Sequence, residues 1–252
     1  MGKPVIEWLR QGLLPGSLPE PVPETVSIAG QSIPLAIRRH PRATRLTMRL
    51  TPDGGEVRIT LPQWGRTADA LAFVDARRDW LTRQLATIPQ SEPALPGAML
   101  LYRGRRLRID WSPDYARAPV AGPDHVRLGG AEGAVPGRVR RWLEGEALRL
   151  CAADLAHYCD RAGVELPALH LSRAQRRWGS CSSGGAVRIN WRLVQAPDMV
   201  RRSVVAHEVA HLVHFDHSPA FHSLLARLFD GDLPAAEHWL RREGRILYAM
   251  FG

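Results

Sequence analysis

Five consecutive residues carry the first chemistry legible in this chain. His207-Glu208-Val209-Ala210-His211 sets two histidines at i and i+4, with a glutamate directly after the first. On a helix that spacing stacks both imidazoles on one face, one turn apart, where a single metal ion can be shared. Zinc suits such a nitrogen pair. The glutamate projects beside the metal rather than onto it, which is where a residue must sit to take a proton from an activated water. Val200, Val204, Val205, Val209, Leu212 and Val213 flank the pentapeptide. A histidine or glutamate in an apolar wall costs desolvation that a metal offsets, so a pair of solvated surface histidines is the poorer reading.

A catalytic zinc keeps three protein ligands and one open position. Two histidines follow closely. His214 lies three residues past His211, on nearly the same helix face, and would crowd the first two ligands. His217 lies six residues past His211, out of reach of a continuous helix. Ser218-Pro219, however, is how a new helix starts, with serine at the cap and proline in the first turn. If the first helix ends near His214, the chain turns back and delivers His217. The expected zinc ligands are therefore His207, His211 and His217, with Glu208 as the catalytic carboxylate and His214 beside the site. Asp216 reads either as an acceptor for a ligand imidazole or as a solvated turn residue, and the role of His222 stays open. His157 and His170 have no metal-type spacing.

Elements that must position these groups follow from periodicity. Thr25 to Leu61 alternates apolar and polar residues through TVSIAG, SIPLAIRR, TRLTMRLT and GEVRITLP, broken at Gly30-Gln31 and Asp53-Gly54-Gly55. That pattern predicts an antiparallel meander. Thr67 to Ala86 predicts one helix capped by Thr67, and Leu100 to Ile109 a short hairpin. Val139 to Ala162 predicts a long helix closed by Gly163. LHLSRAQRRWGSCSSGGAVRINWRLV predicts two strands joined through Ser182-Ser183-Gly184-Gly185. Helices are then expected from Pro197-Asp198 to about His214, from Ser218 to about Phe229, and from Leu233 to about Met250. Trp178 and Trp191 are expected to wall the His207 helix, and Gly179 to permit a bulge or a close approach of backbone. Cys181 stands in no C-x-x-C pair and reads as a buried or redox-sensitive thiol. Arg173, Arg176, Arg177, Arg188 and Arg192 cluster in sequence near this hairpin; facing the metal they would hold a polyphosphate or a carboxylate, and facing outward they are solvated surface.

Taken together, Arg177-Trp178-Gly179-Ser180-Cys181-Ser182, Ile189-Asn190-Trp191-Arg192-Leu193, Ala196-Pro197, Val204 to Leu212 and His217-Ser218-Pro219-Ala220-Phe221 resemble the YgjP-like metallopeptidase domain, a bacterial family near the SprT-like zincins. The resemblance runs over about residues 25–250 and includes the RRH…RLTMRLTPDGGEVRITLP stretch. It implies an α+β fold, with a β-rich N-terminal half and a zincin-like helical C-terminal half. It implies Zn²⁺ on His207, His211 and His217, and Glu208 as the catalytic residue. One departure is visible: the family usually has tryptophan after H-S-P-x-F, where this chain has His222, a difference that bears on the pocket rim and not on the metal. Related proteins are described as peptidases and, for some members, as metal-dependent nucleoside triphosphate pyrophosphatases. The expected substrate is a peptide or protein, with a UTP-like nucleoside triphosphate as the alternative.

Composition bounds the remainder. With 252 residues, 45% hydrophobic and 23% charged, the chain is excluded from wholesale disorder, collagen and coiled coil. The expected organisation is a tail or linker over 1–24, a β-rich region over 25–130 and a hydrolase domain over 131–252. No apolar run approaches a membrane span or a secretory leader, and three cysteines argue against a disulfide framework. A cytoplasmic home without a membrane partner is expected. The net charge of +9 comes almost wholly from arginine, Lys3 being the lone lysine. The arginines are scattered in pairs, consistent with weak nucleic-acid association through a basic surface and not with a dedicated binding face.

Overall fold

The computed structural model describes residues 25–88, 92–182 and 184–251. The tail or linker expected over 1–24, and Ser183 of the expected glycine-rich turn, lie outside the described residues. The fold is mixed α+β, with three small sheets and six α-helices among the described residues. Two compact units divide the chain near residue 85, the turn 51–54 grouping with the second.

The first unit opens with a four-stranded sheet: β1 (Thr25–Ile28), β2 (Gln31–Arg39), β3 (Thr47–Leu50) and β4 (Val57–Leu61). Its order is β1-β2-β4-β3. The expected antiparallel meander is corrected here: β1 and β2 pair antiparallel, as do β3 and β4, but β2 and β4 run parallel. Burial explains the order. Val57, Ile59 and Leu61 are all at most 1% exposed, so β4 takes an inner position, while β3 has no fully buried residue and stays at the edge. Alternation reports which face of a strand is buried, not which strand lies beside it. The expected single helix over 67–86 is two helices, α1 (Thr67–Ala76) and α2 (Arg78–Ala86), broken at Arg77. Arg66, not Thr67, occupies the cap position, and its N–H donates to the Asp69 carboxylate.

The second unit begins with the same topology. Its strands β5 (Met99–Tyr102), β6 (Arg105–Trp111), β7 (Val120–Ala121) and β8 (His125–Leu128) lie in the order β5-β6-β8-β7. Their pairings are again antiparallel, parallel, antiparallel. Each sheet starts with a two-residue turn in which both residues have positive φ, Ala29-Gly30 in the first and Arg103-Gly104 in the second. The register also repeats. The residue five past the turn glycine faces the first apolar residue of the parallel strand: Leu35 opposite Val57, and Ile109 opposite Val126. This sheet shares a core with the long helix α3 (Val135–Ala162), where Leu100, Leu107, Ile109 and Val126 meet Val139 and Leu143. Residues 99–128 thus share a core with the long helix that follows them.

Gly163, at φ +66°, closes α3 as expected. Three strands follow where two were expected: β9 (Leu169–Ser172), β10 (Gly179–Cys181) and β11 (Val187–Asn190), in the order β10-β11-β9. Residues 191–195 form a buried 3-10 turn instead of continuing a strand. The helices α4 (Asp198–Val213), α5 (Pro219–Leu228) and α6 (Leu233–Glu243) complete the unit with a 3-10 segment over 244–248. Buried Arg201 ties α4 to α3 by donating to Asp154 at 2.7 Å, and also pairs with Asp198. The Arg103-Gly104 turn docks at the start of α4: Arg103 N–H donates to the Val194 carbonyl at 2.8 Å and its guanidinium pairs with Asp198. Among the described residues no helix is long and apolar enough to cross a membrane.

Candidate metal centre

The helix α4 carries His207, Glu208 and His211 in its last two turns. Asp198 in its first turn complements the positive end of the helix dipole, and Val200, Val204, Val205, Val209 and Ala210 bury its apolar face. The helix stops where His214 turns to extended backbone, at φ −128° and ψ 110°. The freed His214 carbonyl accepts the Nδ1–H of His211 at 3.0 Å. That bond fixes the tautomer of His211 and leaves its Nε2 lone pair free to bind a cation. Four residues on, the Ser218 Oγ accepts the Phe221 N–H at 3.4 Å and caps α5, bringing His217 back toward α4.

The result is a convergence of three nitrogens. His207 Nε2 lies 3.2 Å from His211 Nε2 and 3.3 Å from His217 Nε2. Among the described residues this is the group of three whose ligand atoms all lie within 4.8 Å of one another. Four-coordinate zinc with metal–nitrogen bonds of about 2.0–2.1 Å requires ligand nitrogens roughly 3.3 Å apart, so the donor set fits that ion. One proton shared between two of these nitrogens leaves the third without a partner, whereas a cation satisfies all three. Fully buried Phe221 forms the floor, its ring centre 5.0, 4.5 and 4.9 Å from those of His207, His211 and His217. Burial, followed by the neighbouring His211, His217 and His222, pushes His207 down to about 4, which keeps it neutral and able to bind a metal.

Glu208 stands beside this group at 5% exposure. Burial pushes its carboxyl up to about 7, opposed by the charge of Arg177 and by the Cys181 N–H, which donates to it. Strand β10 crosses so close that a Cβ on Gly179 would fall 2.3 Å from Glu208 Oε1. Only a glycine there leaves room for the carboxylate.

The structure brings together His207, His211, His217 and Glu208. It leaves the His214 side chain out of the group of three and uses the His214 carbonyl instead. Asp216 accepts the Ser218 N–H at 3.4 Å and serves the turn, not a ligand imidazole. The His222 ring lies 6.3 Å from that of His217. Trp178 packs against the core that holds α4, but Trp191 does not: it lies in the other core, with α3 and the β5–β8 sheet. The five arginines do not converge. Arg173 pairs with Glu144 at 2.9 Å, Arg192 is buried on the Phe251 carbonyl, and Arg188 is exposed on β11 between buried Val187 and Ile189. Two features escaped sequence reasoning. Phe221 stood in the quoted H-S-P-x-F motif, where its apolar type was the available signal, and the His214 carbonyl left none.

A model of the YgjP-like family, described as a metallopeptidase domain, matches residues 46–243. Among solved structures the chain is similar to the metallopeptidase zymogen abylysin of Pyrococcus abyssi, at 18% identity and a TM-score of 0.34, over 38% of this chain and 96% of that one. At that TM-score the likeness is too slight to bear on the fold. No curated protein matches the chain.

Proposed function

The chain belongs to the YgjP-like metallopeptidase domain family, and within it we propose a zinc-dependent peptidase in which His207, His211 and His217 hold the ion and Glu208 activates water. The observation that carries this reading is the convergence of three Nε2 atoms, with His207 3.2 Å from His211 and 3.3 Å from His217, at the helix that also bears buried Glu208. Zinc, when bound, supplies Lewis acidity that makes water a nucleophile near neutral pH and polarises a carbonyl. Glu208 takes the proton of the attacking water and returns it to the departing amide nitrogen, so the C–N bond breaks with a neutral amine leaving. The Cys181 N–H favours the charged form of the carboxylate. The His214 carbonyl holds the His211 ring in the orientation that ligation needs. Phe221 excludes water from beneath the three imidazoles. The triphosphate reading draws less support, because Arg173, Arg188 and Arg192 are engaged elsewhere or turned outward. Three free cysteines fit a reducing, cytoplasmic setting.

The test pairs wild type with Glu208→Gln and His217→Ala. Elemental analysis is expected to find about one zinc per chain in wild type and Glu208→Gln, and a deficit in His217→Ala. Cleavage of an unfolded protein substrate is expected in wild type and to fall about 10²–10⁴-fold in Glu208→Gln. Undiminished cleavage by Glu208→Gln overturns the role of the carboxylate, and full zinc occupancy in His217→Ala overturns the ligand set.

A further inference from the structure

Along the sequence the arginines are scattered, but the first sheet gathers one group of them. From Arg38 to Arg49 the chain carries five arginines, His40 and no acid. β2 and β4 run parallel and finish at the same edge, with Arg39 opposite Leu61. The His40 N–H donates to the Leu61 carbonyl at 2.9 Å, and β3 sets out from that edge with Thr47 opposite Thr60. Arg38, Arg39 and the connection that carries Arg42 and Arg45 therefore lie at one end of one sheet. These four and Arg49 are all exposed, and among the described residues none of the five forms an ion pair. The ion pairs of this unit are those of Arg58, Arg66 and Arg78 instead. Trp64 belongs to the same end. It follows Leu61 by three residues and is 76% exposed, and the carbonyl of its neighbour Gly65 accepts the Arg39 Nε–H at 3.2 Å. An indole contributes to a fold by being buried, and this one is left in water beside unpaired guanidinium groups.

The second sheet is an internal control. In equivalent registers Arg58 lies between Ala36 and Arg49, whereas Arg127 lies between Asp110 and Val120. Arg127 pairs with Asp110 at 3.1 Å. Like charges directly opposite one another destabilise a sheet, and in the first copy Glu56 pairs with Arg58 but not with Arg49. The shared topology thus does not require the positive charge, which stands in one copy and is neutralised in the other.

We propose that this end of the first sheet is a binding face for single-stranded nucleic acid, with Arg38, Arg42, Arg45 and Arg49 on phosphates and Trp64 stacked on a base. Guanidinium groups match phosphate oxygens, and an exposed indole is a platform for any base. A duplex keeps its bases stacked on one another and leaves Trp64 unused. A lipid surface calls for several apolar side chains among the arginines, and Trp64 is the one large hydrophobic residue exposed among the described residues of 25–84. The inference is independent of the metal centre.

The experiment measures fluorescence anisotropy of a labelled oligothymidylate with the full chain across a salt series, and thermal melting checks the fold of every variant. Arg42→Ala/Arg45→Ala is compared with the charge-matched Arg241→Ala/Arg242→Ala, and Trp64→Ala with Trp64→Phe. Wild type is expected to bind the single strand more tightly than a duplex of the same length, with affinity falling steeply as salt rises. The Arg42/Arg45 variant is expected to bind more weakly and to lose about 1.4 from the log–log salt slope, about 0.7 for each phosphate contact, while the charge-matched variant keeps both. Trp64→Ala is expected to weaken binding about 5- to 100-fold at an unchanged slope, and Trp64→Phe to keep most of the affinity. No binding by wild type at low salt, equal losses in the two double variants, unchanged affinity in Trp64→Ala, preference for the duplex, or tighter binding to phosphatidylserine vesicles than to the oligonucleotide overturns the proposal.

Discussion

At Gly179 a single methyl group decides whether Glu208 keeps its place. The added carbon would fall 2.3 Å from Oε1, and the strand cannot retreat because Gly179 is paired to Ile189. Gly179→Ala is therefore expected to hold zinc as wild type does and to lose most hydrolytic activity, as read by zinc stoichiometry and turnover on one preparation. Glu208 and His207 also set opposing pH dependences in the zinc-free chain. His207 ionises near 6.5 when unfolded but near 4 when folded, so it takes stability away as pH falls through that window. Glu208 ionises near 4.5 when unfolded but near 7 when folded, so it adds stability as pH falls from 7 to 4.5. Glu208→Gln removes the second effect. Its unfolding free energy, from denaturant titrations, is expected to drop more steeply than that of wild type as pH falls from 6.5 to 4.5, with an excess slope of up to about 1.4 kcal/mol per pH unit. A parallel pair of curves would show that the carboxyl is not perturbed. The converging histidines were legible because their spacing and the Ser218-Pro219 start obey local helical rules. The arginines were not, because the direction of each depends on a strand pairing that residue types do not encode.

Among the elements, the turn between α4 and α5 places two of the three converging imidazoles: it supplies the carbonyl that orients His211 and the reversal that returns His217. Ser218 anchors its far end. Ser218→Ala is expected to cost about 1 kcal/mol and to weaken zinc binding, with Ser218→Asp restoring both; the check is chemical denaturation alongside a zinc competition titration. Unchanged zinc affinity in Ser218→Ala would mean that the loop holds His217 without its cap. The ends of α4 and α5 were readable to within a residue from Pro197-Asp198 and Ser218-Pro219, which act locally. The break at Arg77 and the 3-10 turn over 191–195 were not. Trp191 to Gln195 is buried throughout, and a short apolar run of that kind carries no periodicity to separate strand from turn.

For the molecule as a whole, the feature that no local pattern disclosed is the repeated four-strand sheet. The two copies share topology, turn geometry and register, but few residue identities: what repeats is an X-Gly turn and an apolar residue three and five places beyond its glycine. The copies differ in what their turns do. The Arg103-Gly104 turn rests on Pro197, whose Cα would lie 3.0 Å from a Cβ on Gly104, whereas a Cβ on Gly30 would meet nothing within 4 Å. Both glycines sit at positive φ, so Gly30→Ala is expected to cost about 1–2 kcal/mol from backbone strain alone. Gly104→Ala is expected to exceed it by about 1–3 kcal/mol and to disturb the start of α4. Equal losses in denaturant titrations would show that the contact with Pro197 gives way freely. Repetition also sets a problem in assembly. Each parallel strand, β4 or β8, finds in the other copy an acceptor of the same register, and a Leu35–Val126 pairing would bury the same kind of surface as Leu35–Val57. What favours the native choice is distance along the chain: a shorter loop closes at lower entropic cost. Synthesis adds order to that bias, because β1 to β4 leave the ribosome before β5 is made. The first sheet can then close on itself and withdraw β4 from competition before its near-copy exists.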